Sequence, residues 1–231
     1  MNTTNTPAAP DDPEMPSFVD PSRTGTQPAT ARGKRTRDAL VAAARKVFER
    51  DGYLDSRLVD IAQEASCSIG SFYTWFDGKD EVFAAVLQEA QNDMLHPGIG
   101  RVLSTDDPVE IIAASNAAYF AAYKKNARLM QLLDQVAAVD PAFRTLRRAR
   151  NRAFVERNAK AIRDLQRRGL ADRGVDAEVA AMALSGMVGR LAHSVYLIDP
   201  TLKVEHLVET ATRLWTNALG LTQPVLEPDA G

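Results

Sequence analysis

A short run of small, hydroxylated and apolar residues at positions 68–71 has side chains that suit contact with nucleic-acid bases. Ser68 is typical of a helix N-cap, so the residues after it are predicted to form the first turn of a helix. A helix that enters the DNA major groove presents small or polar groups near its N-terminus, where base edges are closest. Gly70 permits close approach, Ser71 can donate or accept a hydrogen bond, and Ile69 can contact a thymine methyl group.

The residues that follow carry groups suited to the sugar-phosphate backbone. Tyr73 and Thr74 have hydroxyls that can hydrogen-bond phosphates. Trp75 is predicted on the exposed side of the helix, where it can cover sugar or backbone. Lys79 begins the next predicted helix, where its charge and the helix dipole both favour phosphate. The alternative for this aromatic run is core packing, which we adopt for its two phenylalanines.

Basic side chains cluster just before this segment. Residues 32–50 hold seven basic groups against two acidic ones, although the formal net charge of the whole chain is −2. A local basic patch on a mildly acidic protein suits a module that contacts phosphate. Arg35, together with Arg57 further along, is a candidate for such contact, and the alternative is a solvated helix face. The seven groups are Arg32, Lys34, Arg35, Arg37, Arg45, Lys46 and Arg50.

The sequence carries no pattern typical of an enzyme. His96, His193 and His206 are isolated, and none stands at a metal-ligand spacing with another histidine or with Cys67. A phosphate-binding glycine-rich loop, a nucleophile elbow and Glu-x-x-His pairs are all missing from the sequence. We therefore predict no catalysis, no metal and no cofactor. The single cysteine excludes an intrachain disulfide and fits a reducing cytoplasm.

Apolar residues recur at three- and four-residue spacing through most of the chain, and no run of alternating β-branched residues is present. This periodicity predicts an all-α fold. Gly52 is expected to end the first helix in a left-handed cap, and Ser56 to cap the second. Asp107-Pro108 and Asp140-Pro141 each combine a cap with proline at the first helical position. The predicted helices cover about residues 36–50, 57–65, 69–76, 78–95, 108–125, 127–138, 141–168, 177–197 and 204–219.

The two ends of the chain are predicted to be tails. Residues 1–31 hold six of the twelve prolines and almost no apolar periodicity, so we expect a disordered tail whose removal leaves the melting temperature nearly unchanged. Residues 222–231 are predicted to be a flexible tail. No apolar run approaches the roughly 18 residues that span a membrane, and the N-terminus lacks the apolar stretch of a signal peptide. We therefore expect a cytoplasmic protein without a membrane partner.

The residues between positions 33 and 83 resemble the DNA-binding domain of the TetR family. Two departures from the family pattern stand out: Ser66-Cys67 replaces the usual Gly-Val of a turn, and Gly78 replaces the usual serine cap of the fourth helix. A non-glycine residue in a left-handed turn costs roughly 1 kcal/mol, so we expect a slightly reshaped turn. The resemblance is carried by Gly52-Tyr53, Ser56-Arg57-Leu58-Val59-Asp60-Ile61-Ala62, Ser68-Ile69-Gly70-Ser71-Phe72-Tyr73-Thr74-Trp75-Phe76 and Lys79-Asp80-Glu81-Val82-Phe83.

This resemblance implies a dimeric, ligand-responsive transcriptional repressor. Such a protein binds a palindromic operator in double-stranded DNA and is released by a small-molecule effector. The implied organisation is a three-helix head with a helix-turn-helix at residues 32–83, with the fourth helix continuing to about residue 95. A larger helical body for effector binding and dimerisation follows at residues 96–221. The alternative is an architectural or activating DNA-binding protein without an effector.

A stripe of small residues follows one face of the helix predicted at residues 177–197. Ala181, Ser185 and Gly189 repeat every four residues, a pattern that lets another helix approach closely, and Leu191 lies beside them. The family resemblance makes this helix and the last one a two-fold dimer interface, in the form of a four-helix bundle. The alternative is packing within the same chain.

Aromatic and methionine side chains of the body supply the candidate effector pocket. Flexible methionines suit an apolar guest. The segment 141–168 adds nine arginines, which can form a cationic rim for a carboxylate or phosphate. We therefore hypothesise a largely apolar effector. An acyl-coenzyme A-like species is the form of this hypothesis in which the effector also carries an anionic group. Alternatives for the arginines are a DNA flank, a partner subunit or solvent. The pocket candidates are Tyr119, Phe120, Tyr123, Met130, Phe143, Phe154 and Met187.

Overall fold

The computed structural model describes residues 21–94 and 105–221. These two ranges contain eight α-helices and no strand, which confirms the predicted all-α fold. Predictions for residues 1–20, for the chain break near position 97 and for the tail from position 222 lie outside the described residues. The helices are α1 (Ala31–Asp51), α2 (Leu58–Glu64), α3 (Ile69–Tyr73), α4 (Lys79–Met94), α5 (Pro108–Val139), α6 (Pro141–Arg167), α7 (Ala177–His193) and α8 (Val204–Ala218).

Four of the eight described α-helices begin at the cap that local sequence predicts, because a side-chain oxygen there accepts a hydrogen bond from an otherwise unpaired backbone N–H. This holds for Ser68, Asp107, Asp140 and Asp176. The prediction for Ser56 is wrong. Arg57 is the N-cap of α2 and makes no side-chain cap bond. The buried Ser56 hydroxyl instead donates to the carbonyl oxygen of Tyr53 at 2.9 Å and closes the preceding turn.

The turns of the head have the backbone conformations expected from the sequence. Gly52 has φ +86° after α1, and its N–H donates to the carbonyl oxygen of Phe48. Ser66, between α2 and α3, has φ +54°, a left-handed conformation that costs a residue with a Cβ roughly 1 kcal/mol. Ser66 therefore adopts the positive φ value that glycine would adopt more readily in this turn.

Two apolar clusters hold the helices together. The head cluster joins α1 to α4 with the second half of α5 and with Phe143 of α6. The body cluster joins the first half of α5 with α6, α7 and α8. Phe83 of α4 packs against Phe143 with ring centroids 5.6 Å apart, so the head core continues into the body. The helix α5 contributes to both clusters and connects them.

The long helix α5 contains a break at Asn126. The sequence predicts two helices that meet at this residue, and the structure confirms this, because two helical segments of α5 join across a kink where Asn126 departs from helical geometry (φ −125°, ψ 15°). The Asn126 side chain is 1% exposed, and its Nδ2 donates to the carbonyl oxygen of Ala122. Its Oδ1 accepts a hydrogen bond from Arg45 of α1 at 3.2 Å.

Residues 21–30 form an ordered arm on the head, so the prediction of a disordered tail up to residue 31 is wrong from position 21 onward. Pro21–Arg23 form a 3-10 turn, and Thr24 is 1% exposed. The Arg37 guanidinium donates to the carbonyl oxygens of Thr24 and Thr26 at 2.7 and 3.2 Å. These bonds join a charged side chain to backbone carbonyl oxygens, and apolar periodicity in the sequence therefore does not indicate them.

The arm also connects the head to the body. Arg23 donates to Asp80 at the start of α4 (2.9 Å) and to Asp140 at the start of α6 (3.4 Å). Its guanidinium lies 5.3 Å from the centroid of the Phe143 ring. One side chain of the arm therefore ties the first turns of a head helix and a body helix together.

The segment Ala177–Ile198 includes α7 and a π-helical turn at Ser194–Ile198. Its most apolar 18 residues have a mean hydropathy of 1.2, and only 28% of them are buried within the chain. Among the described helices it is the one that is long and apolar enough to cross a membrane. No apolar run of this length was expected from the sequence. The core helix of a soluble protein has the same composition, so this alone is weak evidence for a membrane.

Candidate functional site

The N-terminus of α3 presents the residues predicted to contact base edges on an exposed surface. Ser68, Ile69 and Gly70 are exposed, with Ile69 at 40%, and Ser71 is half-buried. The Ser68 hydroxyl accepts from the Ser71 N–H at 3.1 Å and lies 3.0 Å from the Ser71 hydroxyl. A Cβ built on Gly70 would meet only the Ser68 hydroxyl, at 3.7 Å, so the glycine leaves an open approach to the backbone. This arrangement can accept and donate hydrogen bonds in a groove.

The aromatic residues at the end of α3 and just after it divide between core and surface. Phe72 and Phe76 are buried with ring centroids 5.6 Å apart, which confirms core packing for both. Tyr73 is 54% exposed, so its hydroxyl is available to a phosphate. Thr74 is exposed, and its hydroxyl donates to the carbonyl oxygen of Gly70 at 3.2 Å.

The sequence predicts Trp75 on the exposed side of the helix, and this prediction is wrong. It is half-buried and packs against the head cluster. A Cβ built on Gly33 in the first turn of α1 would lie 2.8 Å from its ring. The Trp75 carbonyl oxygen accepts the N–H of Thr26 at 2.8 Å. Trp75 therefore joins the arm, α1 and α3, and most of its surface is used within the protein.

Lys79 is also hydrogen-bonded within the protein. Its ammonium group donates to the carbonyl oxygens of Tyr53 and Leu54 at 2.9 and 3.0 Å, and it lies 5.4 Å from the centroid of the Tyr53 ring. Burial lowers the pKa of Lys79 below its ordinary value. A phosphate contact would have to share a side chain that already stabilises the turn after α1.

The basic residues of the head have different surroundings. Arg35 is exposed on the first turns of α1, as a phosphate contact requires. Arg57 is exposed and donates to both carboxylate oxygens of Asp60 at 2.8 Å, and the same contact lowers the pKa of Asp60. Arg37 is only 7% exposed and lies 5.2 Å from the centroid of the Phe76 ring. Arg37 is therefore part of the internal structure, and not of a basic surface.

A cavity of about 880 Å³ opens between α5, α6 and α7. Four of the seven predicted pocket residues line it: Tyr119, Tyr123, Met130 and Phe154. The other three do not. Phe120 is buried in the body cluster, Phe143 is buried against the head, and Met187 packs against the body cluster. Each of the three is apolar at helical spacing, and such spacing cannot distinguish a cavity wall from a filled core.

The small-residue stripe of α7 contacts its own chain, in line with the alternative of packing within one chain. Ala181 is fully buried in the body cluster, and Leu191 packs against that cluster. Ser185 and Gly189 line the cavity. A Cβ built on Gly189 would lie 3.1 Å from the Tyr119 hydroxyl. The small side chains of Ser185 and Gly189 therefore leave room inside the body, and the buried Ala181 is closed to a second chain.

Polar groups meet on the α5 side of the cavity. Arg147 and Asp134 form an ion pair of 2.5 Å. Burial nevertheless raises the pKa of Asp134 above its ordinary value, and the charges of Arg147 and His193 oppose this shift. The Tyr123 hydroxyl lies 3.2 Å from His193 Nδ1. Burial raises the pKa of both Tyr119 and Tyr123 to about 12, so both hydroxyls remain protonated hydrogen-bond partners at neutral pH.

Five arginines line the cavity, four of them from α6. Arg150 is 6% exposed, and burial together with the nearby Arg157 lowers its pKa to about 10. Arg144 donates to the carbonyl oxygens of Ala137 and Ala138 at the C-terminal end of α5. Among the lining residues described, the only carboxylate is that of Asp134. The full cationic set is Arg144, Arg147, Arg148, Arg150 and Arg190.

Asn126 and Asp134 also line the cavity, although neither was predicted to do so from the sequence. Asn126 stands at the predicted boundary between two helices, and a buried polar residue at such a break is a usable signal for a special role. Asp134 gave no signal, because a single acidic residue in a helix is ordinary. No cluster of three or more metal-ligating side chains lies within residues 21–94 and 105–221.

In the head, two helices are joined by a short turn, and the second of them is exposed as a recognition helix. Together with a helical body that contains a cavity, this arrangement defines a helix-turn-helix DNA-binding regulator. Two family models match this chain. The model described as bacterial regulatory proteins, tetR family, matches residues 40–86, and the model described as transcriptional regulator EthR, C-terminal domain, matches residues 112–219. The chain belongs to the TetR family of transcription regulators, which are not enzymes.

Known proteins resemble this chain in sequence or in fold. It is 39% identical over 64 residues to the HTH-type transcriptional regulator TtgW of Pseudomonas putida, a match covering 28% of this chain and 48% of TtgW. It is 38% identical over 64 residues to SrpR of Pseudomonas putida, a match that covers 28% of this chain and 30% of SrpR. The matches thus span half or less of these relatives.

Solved structures share the whole fold. The SmeT–triclosan complex has a TM-score of 0.65 at 22% identity, covering 84% of this chain and 96% of SmeT. SmeT is described as the repressor of the Stenotrophomonas maltophilia multidrug efflux pump SmeDEF. At this identity the likeness concerns the fold alone.

Proposed function

We propose that the protein is a dimeric, ligand-responsive transcriptional repressor that acts in the cytoplasm. Two heads bind successive major grooves of a palindromic operator, and a small molecule in the body cavity lowers their affinity. The observation that carries this proposal is the position of Asn126, which lines the cavity and accepts a hydrogen bond from Arg45 of the head. A ligand that alters α5 at this break would therefore act on α1 directly.

Exposed groups of the head support DNA binding. The start of α3 offers Ile69, Gly70 and Ser71 to base edges, while Tyr73 and Arg35 are exposed beside it for phosphates. Phosphate contacts fix the position of a protein on DNA, and base contacts give sequence preference. We keep Thr74, Trp75, Lys79, Arg57 and Ser68 as proposed members of this surface, with Trp75 and Lys79 in mainly structural roles.

The outer face of α7 supports dimerisation with a second copy of this chain. Val179 of α7 is 57% exposed and Leu214 of α8 is 45% exposed, and neither residue lines the cavity. The low burial of the apolar segment Ala177–Ile198 leaves apolar surface that a second subunit would cover. We therefore assign the interface to this outer face, in place of the inner stripe of small residues.

The cavity supports an effector. A volume of about 880 Å³ lies within the range of roughly 300–1,000 Å³ that is usual for small-molecule sites. The fold relative SmeT has been solved with triclosan, a small molecule. Tyr119, Tyr123 and Met130 give the cavity an apolar side, and an acyl-coenzyme A-like effector remains one proposed version. A purely architectural DNA-binding protein would have no use for such a cavity.

In vitro selection from random duplex DNA, followed by fluorescence anisotropy on the selected site, tests this function. We expect a palindromic site, two chains per site in sedimentation, and an affinity that falls steeply with salt, because bound phosphates release counterions. In vitro transcription from a promoter that overlaps the site should decrease when the protein is added. Selection of a non-palindromic site bound by one chain, or an increase in transcription, would contradict the proposal.

A further inference from the structure

We infer that the body cavity binds an amphiphilic anion, with an acyl or aryl body on the aromatic side and one carboxylate or phosphate held by the α6 arginines. This inference rests on the proposed function of the cavity as the effector site. It concerns the charge of the ligand, which neither the family nor the shape of the cavity determines.

The charges lining the cavity are strongly unbalanced. Five arginines face one carboxylate among the described lining residues, and that carboxylate, Asp134, is already paired with Arg147 at 2.5 Å. Burial also raises the pKa of Asp134, which means that its surroundings disfavour negative charge there. A cationic ligand would therefore meet repulsion from the arginines and a poor partner in Asp134.

The arginines that hold the anion are selected by position. Arg147, Arg150 and Phe154 lie on one face of α6 at spacings of three and four residues, so two cations and an aromatic ring point the same way. Arg144 is occupied by the end of α5. Arg150 is 6% exposed, and an ion pair made by such a desolvated guanidinium is screened less by water. Its planar fork matches a carboxylate or phosphate with two hydrogen bonds.

The aromatic and methionine side chains of the lining receive the apolar part of the ligand. Tyr119, Tyr123 and Met130 come from α5, and Phe154 completes this side from α6. Space is available because α7 contributes small side chains. A Cβ built on Gly186 would meet nothing within 4 Å. The cavity therefore combines aromatic surface, mainly from α5, with cationic groups, mainly from α6, as an amphiphilic anion requires.

Calorimetric titration of the full-length protein with three ten-carbon probes tests the inference. Decanoate, decan-1-ol and decylammonium share one chain and differ in charge. We expect decanoate to bind at least about tenfold more tightly than the other two. The variant Arg150→Gln should lose about tenfold or more of the decanoate affinity. Arg152→Gln, which removes an exposed arginine of the same helix outside the cavity lining, should retain it.

Circular dichroism checks that Arg150→Gln is folded, and the variant Arg147→Gln, at the less buried of the two positions, repeats the test if it is not. Tighter binding of decylammonium or decan-1-ol, no binding of decanoate, or an equal loss in Arg152→Gln would overturn the inference. Anisotropy on the selected operator separates the two proposals. Release by the alcohol or the amine alone leaves the effector-responsive repressor standing. Arg150-dependent decanoate binding with unchanged operator affinity supports the anion site and contradicts the effector role.

Discussion

At the scale of single residues, two arginines of α1 two positions apart have opposite surroundings. Arg35 is exposed, while Arg37 is buried and donates to the carbonyl oxygens of Thr24 and Thr26. We expect Arg37→Gln to lower the free energy of unfolding by about 1.5–3 kcal/mol, because buried acceptors lose a charged donor. Arg35→Gln should leave that stability nearly unchanged and weaken DNA binding. Urea denaturation and anisotropy measure the two effects, and equal loss of stability in both variants would contradict the distinction.

Substitutions of Tyr73 and Lys79 are also expected to have different effects on stability. Tyr73→Phe removes only an exposed hydroxyl, so we expect weaker binding to all DNA sequences and a shallower salt dependence with no change in stability. Lys79→Ala removes the donor to the Tyr53 and Leu54 carbonyls and should in addition destabilise the fold by about 1 kcal/mol. A double variant that keeps its salt-dependent DNA affinity would exclude both side chains from phosphate contact.

At the scale of elements, the arm of residues 21–30 depends on a close approach at Gly25. This residue has φ +76°, and a Cβ built on it would lie 2.2 Å from the Trp75 carbonyl oxygen. Gly25→Ala should therefore displace the arm and lower the melting temperature. Gly169→Ala is the matched control, because Gly169 has φ +74° but nothing within 4 Å of its Cβ position. Both variants carry the conformational cost of roughly 1 kcal/mol, and only Gly25→Ala adds a clash. Equal shifts in melting temperature would mean that the arm contributes nothing.

The outer face of α7 is the second element with a specific test. Val179→Glu places a charge on an apolar position that is 57% exposed in the single chain and does not line the cavity. We expect a folded monomer in sedimentation with weakened operator binding, because an unpaired charge is costly in an apolar interface. Gly189→Leu should instead remain dimeric and lose ligand binding, since it fills the cavity beside Tyr119. A glutamate variant that stays dimeric, together with a monomeric Gly189→Leu variant, would instead place the dimer interface on the inner stripe of small residues.

At the scale of the whole molecule, the break in α5 connects the cavity with the head. Asn126 lines the cavity and contacts Arg45, and Met130 lines the cavity while packing against the head cluster. Energetic coupling between sites typically changes by roughly 0.5–2 kcal/mol when a connecting residue is altered. We therefore expect Asn126→Ala to reduce the decanoate-induced change in operator affinity about two- to thirtyfold. Asn151→Ala, which changes a cavity residue outside this connection, should keep the full response. Anisotropy with and without decanoate measures this, and equal responses would rule out the Asn126 route.

Features set by neighbouring residues could be predicted from the sequence alone. The all-α fold, the caps at Ser68, Asp107 and Asp140, and the break at Asn126 depend on residue types within one or two helical turns. The exposed start of α3 belongs with them, because one buried face of a short helix determines which residues remain outside.

Only the tertiary structure decided which face of each long helix meets which neighbour. The order of the arm depends on Arg37, Thr24 and Trp75, and the cavity on where α5, α6 and α7 separate. The small residues of α7 could have met another chain or their own, since close packing against either partner requires the same side chains. Such contacts join residues far apart in sequence, and their energy depends on three-dimensional position, which local spacing does not contain.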